Sequence, residues 1–269
     1  MQQAIAILDS GVGGLTVVKE VMRQLPQEKI IYFGDTARTP YGPRTPAEVS
    51  MFTGQIVDYL MQFRPKMIVI ACNTATAVAL EQIRSSVPVP VVGVIHPGAR
   101  AAIKTTRRGL VGVIGTDGMV RSGAYEIALK ELSPFVEVIS LACPQFVPLV
   151  ERGQFRTEQT REIIGRTLAP LAGRPMDCLI LGCTHYPFIS EAIAEAMGPS
   201  VTLISSADET AREISTLLYH SGRLAKASQL PVHQFSCSGD PVMFRKIARE
   251  WLGEQIKVTP VVWQVPQIV

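Results

Sequence analysis

Two short apolar runs, each followed by a cysteine, restrict this chain more than any other feature. Met67-Ile68-Val69-Ile70 leads into Ala71-Cys72-Asn73-Thr74-Ala75. Cys178-Leu179-Ile180-Leu181 leads into Gly182-Cys183-Thr184-His185-Tyr186-Pro187. A short, fully apolar run rich in β-branched residues reads as a strand covered on both faces. A helical pattern resumes after each run, through Val78, Ala79, Leu80 and Ile83 in one case and from about Pro187 in the other. Cys72 and Cys183 are therefore expected at the carboxyl ends of buried strands, beside helix N-termini. Open α/β sheets bind ligands at that edge. Backbone N–H groups and the helix dipole there are expected to favour a thiolate over a thiol.

The same alternation of strand and helix fills most of the chain. In the first half, strands are expected at Ala4–Leu8, Lys29–Gly34, the Cys72 run and Val91–Val94; in the second, at Leu110–Ile114, Val136–Leu141, the Cys183 run and Val201–Ile204. Their ends match at nearly constant spacing. Leu8 stands 106 residues before Ile114, Cys72 stands 111 before Cys183, and Val94 stands 110 before Ile204. Four matched units imply a duplicated α/β unit, and alternating elements imply mostly parallel sheets with helices on both faces. The expected fold is two pseudo-symmetric, doubly wound α/β domains with the site in the cleft between them. Residues 1–97 plus 209–269 form the first domain, and residues 98–208 the second. The tail carries strand signals at Val232–Ser236 and Lys257–Val262 around a helix at Pro241–Leu252, and is expected to return to the first domain.

Composition excludes several classes of function. The chain has 269 residues, 47% hydrophobic and 18% charged, with a formal net charge of +3. No basic cluster exceeds Arg107-Arg108, so no nucleic-acid partner is expected. No apolar run reaches the roughly 18 residues of a membrane span, so no membrane partner is expected. The N-terminus runs into a strand without a signal-peptide core, so a cytoplasmic location is expected. Five cysteines, an odd number in a long chain, argue against a disulfide framework. No His/Cys cluster has zinc spacing, so no metal is expected.

Several motifs sit at the expected sheet edge. Asp9-Ser10-Gly11-Val12-Gly13-Gly14 is a glycine-rich strand-to-helix turn, and Asp35 ends the next strand. Together they mimic a dinucleotide fingerprint, but the third glycine would fall at Thr16. Asp9 would also repel phosphate; it suits an ammonium group or a proton carrier. The glycines could equally do no more than permit a tight turn. His185, two residues from Cys183, can share a proton with the thiol. Asn73, Thr74 and Thr184 offer hydrogen bonds. Tyr41-Gly42 lies in a loop too long for a mere connector. His96 ends the fourth strand and is a further candidate for the cleft wall. Glu151 is either a second-domain carboxylate reaching the cleft or a solvated helix end. Cys143, Cys178 and Cys237 read as structural.

Two opposed thiols in a dry cleft suit one kind of chemistry, in which one takes a proton from a carbon and the other returns one to the opposite face. No lysine follows a strand end to hold pyridoxal phosphate, so no cofactor is expected. The glycine-rich turn, Pro40-Tyr41-Gly42, Ala71-Cys72-Asn73-Thr74-Ala75 and Gly182-Cys183-Thr184-His185-Tyr186-Pro187 resemble the glutamate racemases of the aspartate/glutamate racemase superfamily, over about Ile5 to Ile214. The resemblance implies a cofactor-independent enzyme interconverting L- and D-glutamate, with D-glutamate feeding peptidoglycan synthesis. It implies that Cys72 and Cys183 are the acid/bases, assisted by Asp9 and His185. Asp9, Ser10, Tyr41, Gly42, Asn73, Thr74, Thr184 and His185 would bind substrate, and Glu151 matches a carboxylate that contacts the site. A homodimer is expected. Two rival readings stand beside it: a thiol hydrolase built on Cys183 and His185, and a dinucleotide- or anion-binding regulatory module built on the glycine turn.

Overall fold

A computed structural model describes residues 3–226, 231–253 and 258–262. Lys257, the expected start of the last strand, and the first two residues lie outside the described residues. The first half runs β1 (Ile5–Asp9), α1 (Leu15–Gln24), β2 (Ile30–Gly34), α2 (Pro46–Met61), β3 (Met67–Ile70), α3 (Asn73–Ser86) and β4 (Val91–Gly93). Helix α4 (Ile95–Thr105) crosses to β5 (Leu110–Gly115), α5 (Asp117–Ser122), α6 (Ala124–Leu132), β6 (Glu137–Ala142), α7 (Phe146–Glu151), α8 (Glu158–Leu168) and β7 (Cys178–Gly182). A 3-10 turn at Tyr186–Ile189, α9 (Ser190–Met197) and β8 (Thr202–Ile204) complete that set. Helix α10 (Ser206–His220) leads to β9 (Gln234–Cys237), α11 (Pro241–Leu252) and β10 (Val258–Pro260).

The strands form two sheets, ordered β10-β9-β2-β1-β3-β4 and β6-β5-β7-β8, and every pairing is parallel. The inner order β2-β1-β3-β4 recurs as β6-β5-β7-β8, so the duplication read from spacing is a duplication of topology. The tail strands extend the first sheet beside β2. β1, β2, β3 and β7 are buried at every residue, which is why each reads as an apolar run, interrupted only by Asp9 at the end of β1. Covering one such Ile or Leu on both faces contributes about 1.5–3 kcal/mol. One apolar cluster runs through both halves, joining Val12 and Leu15 to Phe146, Val147, Tyr186 and Phe188. No described helix is long and apolar enough to cross a membrane.

Register brings the strand ends level. Asp9 pairs with Gly34, Leu8 with Ile70, and Gly115 with both Gly182 and Ala142. The loops carrying Asp9, Asp35 and Cys72 thus leave one sheet edge, and those carrying Thr116, Cys143 and Cys183 leave the other. The expected change of domain at residue 98 falls inside α4, which packs on α6, α10 and β7. The expected return at residue 209 falls inside α10, which packs on both α1 and α4. Helix α3 starts at Asn73, because Cys72 is its N-cap: the sulfur accepts from Ala75 N–H at 3.5 Å. Helix α2 opens with a capping box between Thr45 and Glu48.

Candidate active site

The glycine turn after β1 serves close approach rather than anion binding. Asp9 is fully buried, and its Oδ2 accepts from Gly11 N–H at 3.0 Å. Val12 N–H donates at 2.9 Å to Glu151 Oε1 from the second domain. Two of the amides that could cradle a phosphate, those of Gly11 and Val12, are therefore taken by carboxylates. A Cβ at Gly11 would collide with Glu151, and one at Gly13 with His185 and Thr184. The bareness of this turn is what lets the second domain close onto it. Thr16, where a dinucleotide fingerprint needs glycine, ties the turn instead by donating to Gly13 O at 2.9 Å.

Cys72 sits between Ser10 and the start of α3, with its sulfur 3.6 Å from Ser10 Oγ. The expected thiolate is not what this environment favours. Burial, and next the nearby Asp9 carboxylate, push the Cys72 thiol up to about 12, against the smaller downward pull of Ala75 N–H and Ser10. Desolvation of the charged form outweighs the helix terminus. Asp9 is itself raised by burial, partly offset by His185, by Thr184 Oγ1 donating at 3.0 Å and by backbone N–H groups.

The second strand end is built differently. His185 Nδ1 lies 3.6 Å from Cys183 Sγ, and His185 Nε2 lies 2.6 Å from Glu151 Oε1. Burial lowers the His185 pKa, but the hydrogen bonds to Cys183 and Glu151 overcome it and hold the ring protonated well above its usual range. Glu151 is thus not a solvated helix end; it stands against His185 and the Val12 amide without itself lining the cavity. It receives both His185 and the Val12 amide, and so ties the two domains together behind the imidazole.

Tyr41 and Gly42 close the site from the loop after β2. Tyr41 donates to Asp35 Oδ2, which also accepts from Arg38 Nε at 2.6 Å, while Asp35 Oδ1 accepts from Ser238 Oγ at 2.6 Å. Asp35 therefore anchors this loop instead of reading a ribose. Gly42 O accepts from Gly118 N–H at 3.0 Å, and Thr74 Oγ1 lies 2.8 Å from Thr116 Oγ1 across the cleft. Ser10, Tyr41, Gly42, Cys72, Asn73, Thr74, Cys183, Thr184 and His185 all line a single small cavity. Both cysteines face it.

Not every sequence candidate is there. His96 is exposed and lies in a separate surface groove with Glu81 and Glu131, because α4 begins at Ile95 and turns it outward. Ile30 N–H donates to His233 at 3.2 Å, far down the strands, and His220 is exposed. Cys143, Cys178 and Cys237 are buried outside the cavity lining. Among the described residues no three His, Cys, Asp or Glu groups are placed to hold a metal. Conversely, Thr116, Val147 and Pro40 line the cavity although the motifs do not mark them as site residues. A signal for Thr116 exists: at the spacing that matches Leu8 to Ile114, Thr116 is the counterpart of Ser10.

Known proteins share this arrangement of chain and fold. The Asp/Glu/Hydantoin racemase family matches residues 10–214. A glutamate racemase of Bacillus cereus is 54% identical over 257 residues, covering 96% of each chain. The crystal structure of a glutamate racemase isoform from Bacillus anthracis superposes with a TM-score of 0.93 at 49% identity, over 96% of this chain and 97% of that one. A glutamate racemase from Francisella tularensis, solved in complex with D-glutamate, gives a TM-score of 0.89 at 33% identity over 97% of each chain.

Proposed function

The chain belongs to the Asp/Glu/hydantoin racemase family, among its glutamate racemases, and from that premise we propose that it interconverts L- and D-glutamate by two-base proton transfer at Cα. The observation that carries this reading is the pair of cysteines, delivered from matched strand ends into one closed cavity. A substrate Cα held between the two sulfurs presents its hydrogen to one and its opposite face to the other. One cysteine removes the proton as thiolate; the other, as thiol, donates to the far face. Asp9 and His185 assist these transfers, and Glu151 holds His185 in place. Ser10, Tyr41, Gly42, Asn73, Thr74 and Thr184 bind the substrate. The carbanion is stabilised by preorganised donors in a site shut off from water. Among the described residues no lysine lines the cavity to anchor a pyridoxal Schiff base, which supports reading the reaction as cofactor-independent. The D-glutamate made this way supplies peptidoglycan synthesis.

The Cys183–His185–Glu151 relay is also what a thiol hydrolase would use. Cys72 would then be dispensable. One experiment separates the two: circular dichroism of the purified protein with L-glutamate in deuterium oxide, with excess EDTA and no added cofactor. Ellipticity should decay to zero, with deuterium at Cα of the product and mostly protium in early recovered substrate. Equal exchange into substrate and product, or return of the original proton, indicates a single base. A requirement for metal or pyridoxal phosphate would overturn the cofactor-independent reading.

A further inference from the structure

Tyr125 lies on α6 in the second domain, yet its hydroxyl donates at 2.8 Å to Asn73 Oδ1 in the first. Tyr125 is 1% and Asn73 2% exposed, so solvent does not compete for this bond. The other edge of the amide is different. Asn73 Nδ2 is buried without a hydrogen-bond partner among the described residues, and Asn73 lines the cleft. A buried donor left unmatched costs free energy until an acceptor arrives.

The direction of the Tyr125 bond is set by its surroundings. Burial pushes the phenol above its ordinary range, against a smaller downward pull from Ser206, the first residue of α10, which hydrogen-bonds to it; the phenol therefore keeps its proton and remains a donor. Gly98 on α4 leaves the room: a Cβ there would stand 2.9 Å from the Tyr125 oxygen and 3.2 Å from Ser206 Cβ. Three helices thus converge on one hydroxyl that holds an amide in the other domain.

We propose that Tyr125 is a positioning residue: by donating to Oδ1 across the domain interface it fixes the Asn73 amide with Nδ2 toward the cleft, where Nδ2 donates to a carboxylate oxygen of the substrate. This rests on the racemase reading above and adds to it the polarity of one contact. Without the hydroxyl the amide is free to turn over and offer its oxygen to the carboxylate, which repels. Because the bond spans the two domains, the packing of one against the other sets the carboxylate donor.

Tyr125→Phe keeps the ring and removes the hydroxyl. It should raise KM about tenfold for both L- and D-glutamate, as loss of one hydrogen bond does, with kcat within about threefold of wild type. D-glutamate should protect the variant against thermal unfolding only at correspondingly higher concentration. In an Asn73→Ala background the same change should raise KM no further. An unchanged KM with a lowered Tm, or an equal rise in the Asn73→Ala background, overturns the proposal. Should Tyr125→Phe not fold, Ser206→Ala carries the test, with a rise in KM of about twofold to threefold expected and no rise overturning it. Wild-type protein that fails to racemise glutamate refutes the proposed function instead, before any variant is compared.

Discussion

Cys72 and Cys183 stand at equivalent ends of duplicated strands, yet their surroundings are opposite. Cys72 has a carboxylate nearby and only a hydroxyl and one amide to soften its burial. Cys183 has a protonated imidazole, itself held by a carboxylate from the end of α7. Duplication supplied two thiols at matched strand ends; the neighbours make them unequal. A two-base reaction needs that inequality, because at any moment one group must lack the proton that the other carries. The lesson is that strand ends set where the reacting atoms are, and the side chains around them set what they hold.

The hardest blow to this comparison comes from exchanging sulfur for oxygen. Cys72→Ser and Cys183→Ser should each lower racemisation by more than about 10⁴-fold, since a serine hydroxyl is barely ionised near neutrality. Neither cysteine should rescue the other, because one thiol cannot reach both faces. Substantial racemisation of L-glutamate by either variant, followed by circular dichroism, breaks the pairing. Next in size, Asp9→Asn and His185→Asn should lower kcat by roughly 10²–10³-fold with smaller changes in KM. A variant with wild-type kcat in both directions shows that its residue is structural only.

Glu151→Gln sharpens the contrast more gently. The carboxylate is one of the two hydrogen-bond partners that hold His185 protonated, so the amide should let the imidazolium lose its proton at lower pH. The alkaline limb of the kcat profile should move to lower pH, with a loss of about tenfold at its optimum. An unmoved limb would detach Glu151 from the proton balance. The smallest effect is on stability. The unfolded Cys72 thiol ionises near 9.0 and the folded one near 12. Between those values the unfolded state holds fewer protons, so stability falls as pH rises, by up to about 1.4 kcal/mol per pH unit from this group. Cys72→Ala should flatten thermal unfolding against pH in that window; an unchanged slope shows that the thiol ionises without cost in the folded protein.

Much of this architecture is legible in the sequence. Buried parallel strands such as β3 and β7 have nowhere to put a polar residue, so they announce themselves, and the strand-end cysteines follow. Elements exposed on one face are located less closely, as at β6 and β8, where an exposed residue opens the strand. The expectation of a Cys72 thiolate fails because a sequence shows the helix that follows but not the dryness around the sulfur. Tyr125 is out of reach for another reason: it lies on a helix, 52 residues from its partner, with no local motif to mark it. Glu151 is placed only by resemblance, since spacing alone does not say which way a short helix end points.

The tail strands bear on how the protein is made. The second sheet is drawn from one contiguous stretch, residues 110–204, whereas the first waits for β9 and β10 at the far end of the chain. During synthesis the later half can close its sheet while the earlier half still exposes the β2 edge, an open template for pairing with another chain. Every described residue lining the cleft precedes residue 186, so a chain cut after residue 226 would carry all of them and still be expected to aggregate. The last strands, as described, contribute no cavity-lining group; what they supply is a paired neighbour for the edge of β2.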